Sequence, residues 1–306
     1  MIHALDCVTI AASCLPDAAR AYETLLGRRA RDGNGGASIQ LSNVRLDLVA
    51  DCSHGPGLTA LAFGVADLDG CERLLSRRGL PVQRPANLGS ACLLADRQAT
   101  YGVPLEFYRR PQDLEAPLSP AQPGAEATAV TALDHLVIRT PNPERAIALY
   151  AGRLGLSLRL DRSHADWGAR LLFFRCGALT IELVHDLKAG IGEGEDRLWG
   201  LSWRVGDVLG AHARLRAATV ELSEVRSGRR PGTAVFTVRS HNAGVATLLI
   251  GPDPSTSGLD PTPGPAAAGL NTPSCAGAAV TNLHRRRIAL RRNQCPADFP
   301  TGLRNL

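Results

Sequence analysis

The chain alternates between two hydrophobic periods, and each period predicts one kind of element. Apolar and polar residues alternate over residues 5–10 and again over residues 133–138, which predicts strands with one buried face. Apolar residues then recur every three or four positions over residues 17–26 and 144–154, which predicts amphipathic helices. A glycine follows each helical stretch, as at the left-handed caps that commonly end helices. A strand and a helix are therefore predicted twice in the same order.

An internal repeat connects these two stretches. The segment LDCVTI at residues 5–10 recurs as LDHLVI at residues 133–138, and further matches follow without a gap. Such internal similarity predicts that the two parts of the chain share one architecture. The aligned positions are Tyr22, Leu26 and Gly27 in the first copy and Tyr150, Leu154 and Gly155 in the second.

Each copy continues with a second strand and helix, at residues 61–67 and 74–79 and at residues 201–207 and 211–217. Further strands are predicted at residues 38–41, 44–49, 91–95, 103–108, 156–160, 169–174, 178–184, 234–238 and 245–250. The order βαβββ thus occurs four times. We predict an α+β fold with two tandem domains, residues 1–110 and 131–252, joined by a linker at residues 111–130. Residues 253–306 are predicted to be a low-complexity, disordered, arginine-rich tail.

Composition and charge exclude several classes of protein. The net charge is +5, and the five arginines of residues 284–292 match that surplus, so the predicted domains are close to neutral. The arginines have no interleaved aromatic residues, which argues against a nucleic-acid partner. The eight cysteines form no CxxC pair and indicate reduced thiols. With no leader-like segment and no apolar run of about 20 residues, we expect a cytoplasmic protein without a membrane partner.

The order of the modules resembles the vicinal oxygen chelate superfamily, which includes glyoxalases, bleomycin resistance proteins and extradiol dioxygenases. The segment Leu133-Asp134-His135 opens one unit and Glu182-Leu183-Val184 closes it, and the resemblance covers about residues 3–109 and 131–251. It implies the glyoxalase-like fold, in which paired modules enclose a cleft. It also implies a divalent metal (Fe, Mn, Ni or Zn) held by histidine and glutamate side chains on the first and last strands of the modules.

The metal ligands implied by the resemblance are incomplete in both domains. Gly200 and Leu248 have no ligand atom in their side chains, and the first domain has no histidine at these positions. We therefore expect any metal to be held weakly, by His135 and Glu182. The four positions carried over by strand register are His135, Glu182, Gly200 and Leu248 in the second domain, and Cys7, Asp47, Ala60 and Glu106 in the first.

Three ionisable residues are the candidates for catalysis: Glu106, His135 and Glu182. Imidazole and carboxylate groups can act as general acids and bases. A buried carboxylate needs a partner, so we expect His135 or Arg204 to pair with Glu182, and a plain buried ion pair is the competing interpretation. The predicted substrate-binding residues, which share the cleft faces with these groups, are Arg204, Ser202, Arg139 and Tyr108.

Three hypotheses of different classes follow from these residues. The first hypothesis is a small-molecule enzyme with a degenerate metal site, of glyoxalase-like lyase or isomerase type in preference to a ring-cleaving dioxygenase. Its substrate would be an oxygenated, anionic small molecule. The alternative is a metal-free binding or resistance protein with an aromatic-lined cleft, against which the low aromatic content of 4% counts. A third hypothesis is a degenerate relative with a structural role. With four modules in one chain, both a monomer and a homodimer are compatible with the sequence.

Overall fold

The computed structural model describes residues 2–33, 35–50, 55–85, 92–109 and 117–256. The predicted tail from residue 257 onward and the first part of the predicted linker, residues 110–116, lie outside the described residues. The described chain forms two mixed sheets of eight strands each. The predicted α+β fold with paired βαβββ modules is confirmed.

The first sheet joins two βαβββ modules through an antiparallel pair of their first strands. Its strand order is β2-β3-β4-β1-β5-β8-β7-β6. The strands are β1 (Ile2–Ala12), β2 (Arg31–Gly33), β3 (Gly36–Gln40), β4 (Arg45–Ala50), β5 (Gly57–Val65), β6 (Val82–Gln83), β7 (Cys92–Ala95) and β8 (Leu105–Arg109), and the helices are α1 (Leu15–Leu26) and α2 (Leu68–Arg77).

The second sheet repeats this topology in the order β10-β11-β12-β9-β13-β16-β15-β14. Its strands are β9 (Ala132–Arg139), β10 (Ser157–His164), β11 (Ala169–Cys176), β12 (Leu179–Asp186), β13 (Arg197–Arg204), β14 (Arg226–Ser227), β15 (Thr233–Val238) and β16 (Ala246–Pro252), and its helices are α3 (Pro143–Ile147) and α4 (Val208–Ala217).

The period of two in the strands determines which face of each sheet the helices cover. In β9, Leu136 and Ile138 are fully buried in the core that also contains helix residues such as Tyr150 and Leu215. Burying a leucine or isoleucine side chain stabilises the fold by about 1.5–3 kcal/mol. The alternate residues of each strand face away from the helices, onto the opposite, concave side of the sheet.

The helix predicted at residues 144–154 differs from an ordinary α-helix. It begins as α3 and continues as a π-helical segment, Ala148–Arg153. The backbone N–H of Leu154 donates to the carbonyl of Leu149, five residues back, at 2.9 Å. Leu149 and Tyr150, two consecutive residues of this segment, are both fully buried. The hydrophobic spacing predicted a helix correctly but not its type.

The two sheets share one hydrophobic core, which includes residues from both domains, such as Leu25 and Phe236. Polar contacts also join the domains. The hydroxyl of Tyr22 on α1 donates to the carbonyl oxygen of Asn242 at 3.0 Å. Within the described part of the chain, no helix is long and apolar enough to cross a membrane.

Candidate active site

The candidate site lies on the concave face of the second sheet. Leu136 and Ile138 face the helices, so the intervening residues of β9, His135, Val137 and Arg139, lie on the concave side. Glu182 on β12 is in register with Val137, and Phe173 on β11 is in register with Glu182. Neighbours in register point to the same face of a sheet, which brings Glu182 beside His135 as predicted.

A β-bulge brings a third ionisable residue to this group. Across the β9–β13 pair, His135 is opposite Ser202 and Leu133 is opposite Trp203, which leaves Asp134 as an extra residue. A bulge of this kind bends the strand and redirects a side chain. Asp134 lies 3.0 Å from Nδ1 of His135, while Nε2 of His135 lies 3.6 Å from Oε2 of Glu182. The imidazole is therefore held between two carboxylates.

The spacing of two leucines in the sequence indicates this bulge, although a strict alternation of buried and exposed residues does not predict it. Leu133 and Leu136 are three positions apart and both are fully buried, whereas a regular strand would place them on opposite faces. The first domain has the same irregularity, where Leu5 is opposite Phe63 and Cys7 is opposite Ala62. The sequence predicted His135 and not Asp134 as a site residue, because strict alternation places Asp134 on the opposite face of the strand, with Leu136 and Ile138.

Glu182 is the most deeply buried group of the site. Its side chain is 2% exposed, and its Oε1 atom has no hydrogen-bond partner among the described residues. Burial raises the pKa of Glu182, and the charges of His135 and Arg229 oppose this shift. For Asp134, burial also acts to raise the pKa, but hydrogen bonds from His135 and Arg204 outweigh it and hold that pKa well below its usual range. Asp134 is thus ionised, whereas Glu182 holds its proton more tightly than an exposed carboxyl.

Of the two predicted partners of Glu182, the structure brings His135 beside it and places Arg204 elsewhere. Nη2 of Arg204 lies 2.8 Å from Oδ1 of Asp134, so Arg204 neutralises Asp134 and not Glu182. The bulge is the physical reason, because it turns Asp134 toward Arg204. The arginine whose charge reaches Glu182 is Arg229, in the turn between β14 and β15, which was not predicted from the sequence.

Ser202 is opposite His135 in the β9–β13 pair, on the same concave face of the sheet, and is 1% exposed. Its hydroxyl oxygen is buried and has no partner among the residues described. A buried hydroxyl without a partner costs about 1–3 kcal/mol. Ser202 and Glu182 therefore present two unsatisfied polar atoms on one face of the sheet.

The walls of this cleft are more aromatic than the composition suggested. Two of the three tryptophans, Trp167 and Trp199, pack with Phe173 against the small apolar cluster around Val137 and Val184. The expectation of a cleft poor in aromatic residues is wrong, because strands and turns that are distant in sequence bring these rings together. A cavity of about 530 Å³ opens beside Trp167, Val184 and Arg139, and neither His135 nor Glu182 lines it.

Arginines lie over two of these rings. The guanidinium carbon of Arg139 is 5.0 Å from the centre of the Trp199 ring, and that of Arg229 is 3.9 Å from the centre of the Trp167 ring. Cation–π contacts of this kind place a positive charge next to an apolar surface. The cleft thus combines flat apolar walls with positive charge.

In the first domain, the polar groups of the concave face bond to one another. Arg45 donates two hydrogen bonds of 2.8 Å to Asp47, and the thiol of Cys7 lies 3.1 Å from Asp47. Burial and the charge of Asp47 raise the pKa of Cys7, so the thiol stays protonated. The hydroxyl of Tyr108 donates to Glu106 at 2.7 Å. Glu106 and Tyr108 therefore lie on a different sheet from His135, Glu182, Ser202, Arg204 and Arg139.

The residues of the second-domain cleft do not fit a resident divalent metal. In register, Glu182 lies beside Val137 and Leu248 lies beside Ser202, so the fourth ligand position is apolar. Gly200 offers no side-chain donor either. Across the described ranges, no group of three or more histidine, cysteine, aspartate or glutamate side chains could hold a metal ion. Two donors that face each other are too few for the three protein ligands of a typical catalytic site.

Comparisons with known proteins agree with this architecture. Residues 134–237 match the Glyoxalase/Bleomycin resistance protein/Dioxygenase superfamily. A mutant of 4-hydroxymandelate synthase from Streptomyces coelicolor aligns over 83% of this chain and 93% of its own, at 13% identity and a TM-score of 0.61. BphC, a halotolerant catechol dioxygenase, aligns over 81% and 86%, at 13% identity and a TM-score of 0.60. A catechol 2,3-dioxygenase aligns over 85% and 96%, at 19% identity and a TM-score of 0.59.

A search of curated protein sequences found no match. The structural similarities therefore establish the fold, which is that of tandem paired modules. The predicted resemblance to the vicinal oxygen chelate superfamily is confirmed over residues 134–237, which match the superfamily's model. For the rest of the chain, the similarity is one of fold.

Proposed function

We propose that the second-domain cleft is the active site of an enzyme that moves a proton on an oxygenated, anionic small molecule, with lyase or isomerase chemistry. The observation that carries this proposal is the position of His135, held between the ionised Asp134 and the buried Glu182. Its side chain is 16% exposed, so the imidazole is the part of this group that a substrate can reach.

The two carboxylates determine which ring nitrogen of His135 acts as the base. Asp134 accepts a hydrogen bond from Nδ1, which leaves Nε2 as the atom that takes a proton from a substrate carbon next to a carbonyl group. The electron pair of the broken C–H bond remains on the substrate as an enolate, next to the positive charge of Arg229. The protonated imidazole then returns its proton to the substrate, and Glu182 stabilises the imidazolium in the interval.

This proposal assigns the predicted residues unequal roles. His135 is the base, Glu182 stabilises its charged form, and Arg139 and Ser202 contact the substrate. Arg204 acts through Asp134, as a positioning residue. Metal binding by His135 and Glu182 is not part of the proposal, because the donor set does not fit a metal. The catalytic role of Glu106, with Tyr108 beside it, stays a prediction for the first domain.

The test is hydrogen–deuterium exchange on candidate substrates. We expect the full chain in D₂O with a chelator to exchange the carbon-bound proton next to the carbonyl of at least one 2-oxo acid or acyl thioester, detected by loss of its NMR signal. His135→Gln should reduce the exchange rate at least about 100-fold, as expected for removal of a general base. His212→Gln, on α4, is the matched control and should keep the rate. Exchange that survives in His135→Gln would contradict the proposal.

The aromatic walls favour a second candidate, a metal-free binding protein. Trp167, Phe173 and Trp199 offer flat apolar surfaces that suit retention of a ligand without chemistry. This candidate predicts tight binding of a ligand that emerges unchanged, with an affinity that neither chelators nor His135→Gln alters. The exchange experiment separates the two candidates, because a binding protein does not label its ligand.

A further inference from the structure

Two arginines lie directly opposite each other at one end of the second sheet. Arg197, the first residue of β13, is in register with Arg139 on β9, and Val184 on β12 is in register with Arg139 from the other side. Residues in register point to the same face of a sheet, and all three line the cavity of about 530 Å³. Like charges directly opposite each other repel, so this pair lowers stability unless an anion lies between the two guanidinium groups.

The carboxylates around the same cavity leave these two arginines without an ion pair. Asp186 accepts a hydrogen bond from the backbone N–H of Lys188 at 2.9 Å, and the carboxyl of Glu195 packs against Gly102 of the first domain. The charge of Asp186 still acts on Arg139, but from a longer distance. Within the part of the chain that the structure describes, neither guanidinium forms an ion pair or a hydrogen bond. Lys188 adds a third positive charge to the lining of the cavity.

An aromatic ring helps to position the guanidinium of Arg139. Its carbon is 5.0 Å from the centre of the Trp199 ring. Trp199 is an extra residue in β13, where the register with β9 shifts between Leu198 and Gly200. Such a bulge redirects a side chain, and here it brings the indole to Arg139. A cation–π contact leaves the N–H groups of the guanidinium available to an anion.

The charges and the size of the cavity define the class of ligand. A dianion can neutralise both arginines, whereas a monocarboxylate leaves one of the two charges uncompensated. The terminal oxygens of a phosphate group can accept hydrogen bonds from two guanidinium groups at once. A volume of about 530 Å³ is larger than a phosphate needs and lies in the range of sites for small organic molecules. Val184, Ala169 and Pro141 give this cavity an apolar wall.

We infer that this cavity binds a small organic phosphate, with the phosphate group between Arg139 and Arg197 and the apolar part of the molecule against Val184. The inference goes beyond the proposed function, because neither His135 nor Glu182 lines the cavity. Arg139 is the one residue that the two sites have in common.

Thermal unfolding of the full chain tests this site. The probes are butyl phosphate, inorganic phosphate and pentanoate, each at a concentration of about ten times a millimolar Kd and at constant ionic strength in a Tris chloride buffer. We expect butyl phosphate to raise the Tm by about 2–4 °C, inorganic phosphate to raise it less, and pentanoate to leave it unchanged. The fluorescence of Trp199, next to Arg139, provides a second readout. An unchanged Tm with butyl phosphate would overturn the inference, and an equal shift with inorganic phosphate would show that the site binds free phosphate instead.

The variant Arg197→Gln should reverse the order of stabilities. It removes the repulsion from Arg139, so without phosphate its Tm should equal or exceed that of the wild type. With butyl phosphate, only the wild type should gain, and it should then have the higher Tm. Arg175→Gln on β11 is the matched control and should keep the full shift, because the cross-strand neighbours of this arginine, Ser157 and Thr180, are uncharged.

Two outcomes with Arg197→Gln would contradict the inference. A shift with butyl phosphate as large as that of the wild type would show a general effect of the salt on stability. A Tm clearly below that of the wild type without phosphate would show that Arg197 stabilises the unliganded chain, against the repulsion argued here.

The outcomes also separate this site from the proposed function. His135→Gln should keep the Tm shift with butyl phosphate, because His135 does not line the cavity. If the shift depends on Arg197 but no substrate exchanges its proton through His135, the phosphate site stands and the enzyme does not. If exchange depends on His135 while butyl phosphate changes nothing, the enzyme stands and the phosphate site fails.

Discussion

Some residues of the second-domain cleft are buried at a cost in stability, and Glu182 is the strongest example. Its carboxyl is almost fully buried, with one oxygen unpaired in the described structure. A buried carboxyl that is ionised costs free energy, while the same group protonated costs less. This arrangement is expected at a functional site, where local cost is tolerated because the group acts on a ligand.

Glu182→Gln should therefore stabilise the protein at high pH. Burial raises the pKa of Glu182, so the folded chain binds this proton more tightly than the unfolded chain. The stabilising contribution of such a group is complete below its unfolded pKa and is lost as the pH rises through the folded value. We expect similar stability of variant and wild type near pH 4. At pH 8, the variant should gain about 1 kcal/mol or more in its free energy of unfolding.

Urea unfolding at the two pH values measures this difference. Glu221→Gln changes an exposed glutamate in the same domain and should show no pH-dependent gain. A variant Glu182→Gln that is destabilised equally at both pH values would show that the carboxylate is fully compensated by its partners.

At the scale of single elements, the helices of the first and third modules occupy equivalent places, but their buried tyrosines differ in hydrogen bonding. Tyr22 on α1 and Tyr150 in the π-helical segment are both fully buried. The hydroxyl of Tyr22 donates to Asn242, whereas the hydroxyl of Tyr150 has no partner among the described residues. The aligned tyrosines of the repeat are thus equivalent in position and different in hydrogen bonding.

The two tyrosines predict opposite effects of one substitution. Tyr22→Phe should lower the free energy of unfolding by about 1 kcal/mol, because the carbonyl of Asn242 loses its donor. Tyr150→Phe should leave it unchanged or raise it by up to about 1 kcal/mol, because a buried hydroxyl without a partner is removed. Each variant serves as the control for the other, and chemical denaturation at neutral pH measures both. Equal destabilisation by the two substitutions would contradict this assignment.

The sequence predicted elements well and the site only in part, for a physical reason. The strands and helices follow from local hydrophobic periods, and so does the pairing of His135 with Glu182, since strand alternation fixes which residues share a face. Trp167 and Arg229 lie in turns, which have no period. Their positions depend on how distant strands pair, and that information is spread over the whole sheet.

At the scale of the whole molecule, the two domains form one structural unit. Their apolar residues belong to a single core, and Arg214 on α4 of the second domain reaches the end of α1 in the first. It donates to the carbonyl oxygens of Thr24 and Leu25, where a helix leaves its last carbonyls unpaired. Gly27, with a φ of +65°, lets the guanidinium approach closely.

Arg214→Gln should weaken the junction between the domains. Hydrogen bonds from a charged group contribute about 1.5–3 kcal/mol each, so we expect a loss of about 2 kcal/mol or more in the free energy of unfolding. Calorimetry should show one cooperative transition for the wild type and a broadened or split transition for the variant. Arg216→Gln, exposed on the same helix, should behave as the wild type. Two separate transitions in the wild type would contradict the view of a single unit.

The bulge at Asp134 has a consequence for how this protein can change. Asp134 is one extra residue in β9, and it determines on which face of the sheet the residues on either side of it lie. Removal of residue 134 would therefore place either the side chain of Leu133 outside the core or the imidazole of His135 inside it. A substitution at His135 leaves the register of the strand intact, whereas a change of one residue in length moves the following side chains to the opposite face of the sheet. We therefore expect deletion of residue 134 to disrupt the core of the second domain, whereas a substitution at that position leaves the spacing from Leu133 to Leu136 intact.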